Sequence, residues 1–413
     1  MLYFFSTKSK GNNMSIMFDN KKTTIHGKLI IAAAMIAVSI LIIFVGEKLS
    51  IFDGLPWNEA KNSNTPIVRE GFFFDTYVSV MIYDSKDNYS DEIASQNDIE
   101  NLLATCMSMC SEYENVFSRT LETSELYKLN HNPDFINGAD LYVSDTLSEC
   151  ITKTLEYSGV FGIKYSIMSG TLCDLWDYNN ETIPENDDIV SNCIAIDAYK
   201  LTVINNRIKL TFNVENFKQS AEKYGYVNLA HDTGTNILMP NVEINLGSSA
   251  KGYIADKICE YLKDNGINDA IIDLGGNIVV IGDKYDGSMY KIGIKKPFSE
   301  ENESYAVCKV ADKAVVTSGI YERYFEKNGT IYHHIIDCST GYPVSNDILS
   351  VTIITDDSLL ADCYSTGCLL IGKDNALTLI NDTEGVECVI IDKSYNIHLS
   401  NGLTYDNEMI VLK

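Results

Sequence analysis

From Leu29 to Val45 the chain runs LIIAAAMIAVSILIIFV without a charged residue, and no other stretch restricts its architecture so strongly. A run close to the roughly 20 apolar residues needed to cross a hydrocarbon core reads as a membrane span or a signal sequence. Lys21, Lys22 and Lys28 precede it, whereas Glu47, Asp53 and Glu59 accompany a single Lys48 after it. The positive-inside rule then leaves the long C-terminal part outside the cytoplasm. No small-residue cleavage site closes the run and no cysteine follows to accept a lipid, so it is read as an uncleaved, single-pass transmembrane anchor in the cell membrane. The expected organisation is a cytoplasmic tail over 1–28, the anchor over 29–46, a linker over 47–70 holding Gly54, Pro56, Asn62 and Pro66, and one folded extracytoplasmic body over 71–413.

Charge and cysteine usage narrow what that body can do. Lys+Arg 32 against Asp+Glu 57 leaves a formal net charge of -25, which repels a phosphate backbone and excludes nucleic acid as a partner. A nucleotide remains compatible, provided a metal or a nest of backbone N–H groups offsets the carboxylates around its phosphates. The eleven cysteines are odd in number and lack zinc-knuckle spacing. Cys106 and Cys110 stand one turn apart among Ile99, Leu103, Tyr113 and Phe117, and are expected as small core residues of a helix from Ile99 to Phe117.

Periodicity gives an α+β, or mixed α/β, body. Phe72 to Tyr83 alternates as a half-buried strand; Ala270 to Leu274, Ala314 to Thr317 and Ser350 to Thr355 read as further short strands. Helical patterns cover Ser249 to Asp264 and Ser358 to Leu370, and Asn179 to Asn241 reads as surface loops and a meander.

Three segments bear chemistry. Asn245-Leu-Gly-Ser-Ser-Ala-Lys-Gly-Tyr-Ile-Ala-Asp256 leaves a strand and opens a helix that Ser248 or Ser249 can cap, so N–H groups near Gly247 and the charge of Lys251 suit a phosphate. A capped helix that begins with small residues is equally an ordinary structural feature. Asp362 and Thr366, four apart on the next helix, offer a carboxylate and a hydroxyl that suit a hard cation such as magnesium, or else a plain polar pair. Finally, a hairpin ending in Ser339-Thr-Gly341-Tyr-Pro343 holds His334 and Asp337 near a turn, where a base can reach a substrate hydroxyl or simply support the structure.

Taken in order from about Phe73 to Gly372, these segments resemble the FAD:protein FMN transferase (ApbE) family. The matching residues are Phe117-Ser-Arg119 with Ser124-Glu-Leu126 and Leu129-Asn130, Leu175-Trp176, Leu246-Gly247 with Ala250-Lys-Gly-Tyr253, and Leu274-Gly-Gly276. They continue through Thr317-Ser-Gly319, His334-Ile-Ile-Asp337, Thr340-Gly-Tyr-Pro343, and Ala361-Asp362 with Thr366. The resemblance implies an ApbE-like single catalytic body with FAD as substrate, the flavin lying between the Gly247 loop, the His334 hairpin and the residues before Trp176. It implies contacts to FAD from Phe74, Lys164, Tyr165, Ser166, Asn245, Lys251 and Ile335. Magnesium (Mg2+) would be held by Asp362, Thr366 and the backbone carbonyl of Ser248, with His334 and Asp337 catalytic. The implied reaction moves FMN onto a threonine hydroxyl of an extracytoplasmic target protein and releases AMP. This chain departs from the family pattern at Asn245 (usually aspartate), at Ser166 and Met168 (an Asp-x-Thr element), at Cys338 (proline) and at Ile320 (often aspartate). Those departures keep three alternatives in view: a flavin-binding protein without transfer, a relative that hydrolyses FAD to FMN and AMP, and a tethered assembly protein.

Overall fold

The expected strand from Phe72 to Tyr83 in fact folds back on itself. Phe74 and Asp75 both take positive φ, 53° and 56°, and separate β1 (Pro66–Phe73) from β2 (Thr76–Tyr83), with Phe73 facing Thr76. A two-residue loop with both residues left-handed matches the twist of the strands it joins. Phe74 is a costly residue for that conformation; its N–H donates to Glu114 Oε1 at 2.8 Å, which helps hold it there. Because β1 starts at Pro66, the folded body also begins inside the stretch expected as linker.

The computed structural model describes residues 66–83, 96–226, 241–284, 286–299 and 303–413. The chain divides into two units, Met1–Asn62 and Ser63–Lys413. The expected tail, anchor and most of the linker lie outside the described residues; among the described residues no helix is long and apolar enough to cross a membrane.

Eight strands form the main sheet: β1, β2, β3 (Ala270–Leu274), β4 (Asn277–Ile281), β5 (Ala314–Gly319), β6 (Ile348–Thr355), β7 (Glu387–Asp392) and β8 (Ile397–Leu399). They lie side by side in chain order and every pair is antiparallel. All of β6 is buried, its polar Ser350, Thr352 and Thr355 as well as its aliphatic residues, which places it at the centre of the core. Against the sheet pack α3 (Ala250–Asp264), on β3 and β4, and α4 (Ser358–Ile371), on β5 and β6. Two further helices, α1 (Gln96–Phe117) and α2 (Asp145–Ser158), back α3 and α4 respectively. Cys106 and Cys110 are fully buried in the core, and all eleven cysteines are free.

The region expected as loops and meander is more regular than its sequence suggests. A hairpin of Tyr199–Ile204 and Arg207–Phe212 is the meander, but helices at Asn186–Ala198 and Val214–Lys223 flank it. Asn186–Ala198 buries Ile189, Cys193, Ile194, Ala195 and Ile196, residues on several sides of the helix, so no single apolar stripe announces it.

Candidate active site

The site grows out of the contact between α3 and α4. Gly252, in the first turn of α3, lies so close to the start of α4 that a Cβ there would meet the Ser358 carbonyl oxygen and come within 2.6 Å of Leu359 Cα. That approach lets the Gly252 N–H donate to Asp362 Oδ2 at 3.0 Å. The tie is reciprocal: the N–H groups of Ser358 and Leu359 donate to Asp256 Oδ1 and Oδ2, each at 2.9 Å. Burial and the neighbouring Asp357 push the Asp256 carboxyl up to about 7 despite those two donors.

The loop before α3 does not cap the helix as expected. Ser249 Oγ turns back to the Leu246 carbonyl at 3.4 Å, and Ser248 Oγ lies 2.7 Å from Tyr165 Oη. Neither serine caps the helix; of its first N–H groups, that of Ala250 donates to the Leu246 carbonyl at 2.8 Å and that of Gly252 to Asp362, so the Asp362 carboxylate itself sits at the positive end of α3. Asn245 shapes the same loop, its Oδ1 accepting the Gly247 N–H at 3.0 Å. Ser166 similarly serves a local turn by accepting the Met168 N–H at 3.2 Å. Lys251 Nζ reaches the Gly275 carbonyl at 3.5 Å.

Asp362 is buried, and burial raises its carboxyl above the usual range, opposed by the Lys251 charge and the Gly252 N–H. Thr366 Oγ1, one turn on, lies 3.1 Å from Ser318 Oγ of β5, which lies 2.8 Å from Ser365 Oγ. The Ser248 carbonyl belongs to the same neighbourhood, since Tyr165 Oη donates to it at 3.3 Å and feels the charge of Asp362. Among the described residues no group of three His, Cys, Asp or Glu side chains is placed to hold a metal. A cation here would rely on one carboxylate with hydroxyl and carbonyl oxygens. That all-oxygen set fits magnesium, which keeps several of its waters, and a buried carboxylate gains from such a counter-ion.

On the hairpin, Ile336–Asp337 pairs with Tyr342–Pro343. Both Asp337 carboxylate oxygens are engaged: Lys164 Nζ donates at 2.8 Å to one, and Ser339 N at 2.9 Å to the other. Together with the Cys338 N–H, which donates to the Lys164 carbonyl at 3.0 Å, this ion pair ties the hairpin to the segment before Tyr165. Lys164 and Asp337 also border a cleft of about 390 Å³ lined by Thr340, Tyr342, Pro343 and Gly372. His334 Nδ1 lies 3.3 Å from the Arg323 carbonyl; a carbonyl only accepts, so Nδ1 carries the proton and Nε2 keeps a lone pair. Burial, with His333 beside it, pulls the His334 imidazole down to about 4 and keeps it neutral at neutral pH. Ile335 is buried next to it. Phe74 sits in the β1–β2 turn.

Sequence reasoning misses the network around Arg119. Its guanidinium grips both Asp174 oxygens at 2.6 and 2.5 Å and reaches Glu243 Oε2 at 3.0 Å, joining the segment before Trp176 to residues 241–246, which enter the Gly247 loop without forming the strand expected there. Partners 55 and 124 residues away leave no local spacing to detect. Arg119→Ala is expected to cost roughly 1–3 kcal/mol, mainly by stranding the mostly buried Glu243 carboxylate, since the exposed Asp174 can return to water. Lysine should restore only part of that, because it cannot form the fork; urea unfolding of both variants checks it.

The ApbE family model matches residues 74–390. The FAD:protein FMN transferase of Treponema pallidum is 27% identical over 325 residues, covering 76% of this chain and 83% of that protein. One from Klebsiella pneumoniae is 38% identical over 162 residues, 39% of this chain, so the match spans only 49% of that relative. Two solved structures share the fold: the flavin transferase ApbE of Vibrio cholerae (TM-score 0.63, 21% identity, 82% of this chain and 98% of that one), and the ApbE protein of Thermotoga maritima (TM-score 0.64, 24% identity, 82% and 97%). With its matched segment holding the Gly252–Asp362 junction, Lys251 and the His334 hairpin, the chain belongs to the ApbE family.

Proposed function

We propose that this chain is an FAD:protein FMN transferase, magnesium-dependent, that moves FMN from FAD to a threonine of a partner protein and releases AMP. The observation that supports it best is the Gly252–Asp362 bond. It places a buried carboxylate at the N-terminus of α3 beside the Lys251 charge, where a cation and the diphosphate it neutralises can be held together. The threonine oxygen forms a new bond to the FMN phosphorus while the anhydride bond to AMP breaks. Its proton goes to His334 Nε2, which is neutral and free of the Arg323 carbonyl. Asp362, Thr366 and the Ser248 carbonyl would hold the magnesium, which would supply charge neutralisation to the phosphates. Lys251 binds a phosphate or flavin oxygen, and the Arg119 network holds the loops on either side. The Leu29–Val45 run, with lysines before it, supports a membrane anchor and an extracytoplasmic acceptor.

The test mixes the full chain with FAD, magnesium and a partner bearing a candidate acceptor threonine. Mass spectrometry should find the partner heavier by one FMN, with one AMP released per label. AMP release without label supports FAD hydrolysis instead, and tight FAD binding without AMP supports a flavin-binding protein.

A further inference from the structure

Three hydroxyls beside Asp362 form a chain whose proton direction can be deduced. Ser365 Oγ lies 2.9 Å from the Asp362 backbone carbonyl, which can only accept, so the single Ser365 proton is spent there. In the 2.8 Å contact between Ser318 and Ser365, Ser318 must therefore donate. With the Ser318 proton committed, the 3.1 Å contact to Thr366 leaves Thr366 as the donor. A helical threonine ordinarily bonds back to the carbonyl four residues earlier. For Thr366 that carbonyl is Asp362's, already engaged by Ser365.

We infer that Ser318 is a positioning residue for the cation site: by accepting the Thr366 proton it turns the lone pairs of Thr366 Oγ1 toward the space beside Asp362. This rests on the proposed magnesium site and adds to it a residue on β5 that itself need not touch the cation. Partners behind a metal ligand commonly matter in this way, because they set the ligand's orientation and basicity.

Binding of Mn2+ alone to the full chain, followed by electron paramagnetic resonance of the free ion, provides a readout independent of transfer. Ser318→Ala is expected to weaken Mn2+ binding by roughly 10–100-fold, with the metal-free Tm close to wild type. Ser318→Thr, which keeps the hydroxyl, should bind within a few-fold of wild type. In a Thr366→Val background Ser318→Ala should have no further effect, since Ser318 acts only through Thr366. Ser365→Ala, one link further along, is a second variant expected to weaken binding less than Ser318→Ala. If Asp362→Asn abolishes Mn2+ binding while Ser318→Ala binds like wild type, or if the Ser318 and Thr366 effects simply add, this inference falls alone. If wild type and Asp362→Asn do not differ, the magnesium site falls and takes the inference with it.

Discussion

Asp362→Asn should eliminate FMN transfer while leaving the metal-free protein as stable as wild type or more so. Asparagine retains the shape of the side chain and an oxygen to accept the Gly252 N–H, now 3.0 Å from Asp362 Oδ2. What it removes is a carboxylate charge held in a buried position, where the folded state disfavours ionisation. The raised carboxyl means that ionised Asp362 works against folding at neutral pH, so a neutral replacement relieves the fold. Function moves the other way, because the carboxylate offered to the cation is gone. The loss in transfer should exceed the roughly 10–100-fold typical of residues that stand behind a metal ligand. Magnesium, which should raise the Tm of the wild type by binding the native state, should no longer do so. A variant that still labels its partner at near wild-type rates, or that loses several degrees of metal-free Tm, would show that Asp362 serves the structure instead.

The same carboxylate shows where a sequence stops informing. Helical spacing puts Asp362 and Thr366 on one face, and the bounds of α3, α4 and β3 follow closely from periodicity alone, since each is a local pattern. That α3 and α4 meet through Gly252 and Asp256 is a tertiary fact, with partners about a hundred residues apart. The hydroxyl of Ser318 is visible in the sequence only as a member of a Thr-Ser-Gly string; its role emerges from β5 lying against α4. Capping is misread at Ser248 and Ser249 because the best caps by type are drawn to other partners, Tyr165 and the Leu246 carbonyl. The β1–β2 turn escapes the sequence for a related reason: Phe74 and Asp75 are not the glycine or asparagine that announces a left-handed turn, and the Glu114 contact that supports them comes from α1.

Gly252→Ala should be the most disruptive conservative change in the site. At an exposed position in a helix, alanine in place of glycine is favourable by roughly 0.5–1 kcal/mol. Gly252 is buried and its new methyl would collide with α4 backbone, the Leu359 Cα at 2.6 Å and the Ser358 carbonyl carbon at 2.8 Å. Backbone cannot rotate away as a side chain does, so the helices must separate, at a cost of roughly 1–3 kcal/mol or more as in other overpacked cores. Separation stretches the Gly252–Asp362 bond and the reciprocal pair on Asp256 together, shifting Asp362 and Thr366 relative to the Ser248 loop. A displacement of about 1 Å in a reacting constellation can lower the rate roughly 10²-fold, so transfer should fall further than stability. Calorimetry alongside partner labelling decides the matter. An unchanged Tm with unchanged labelling would mean that the two helices tolerate a wider spacing and that their close contact does not set the site.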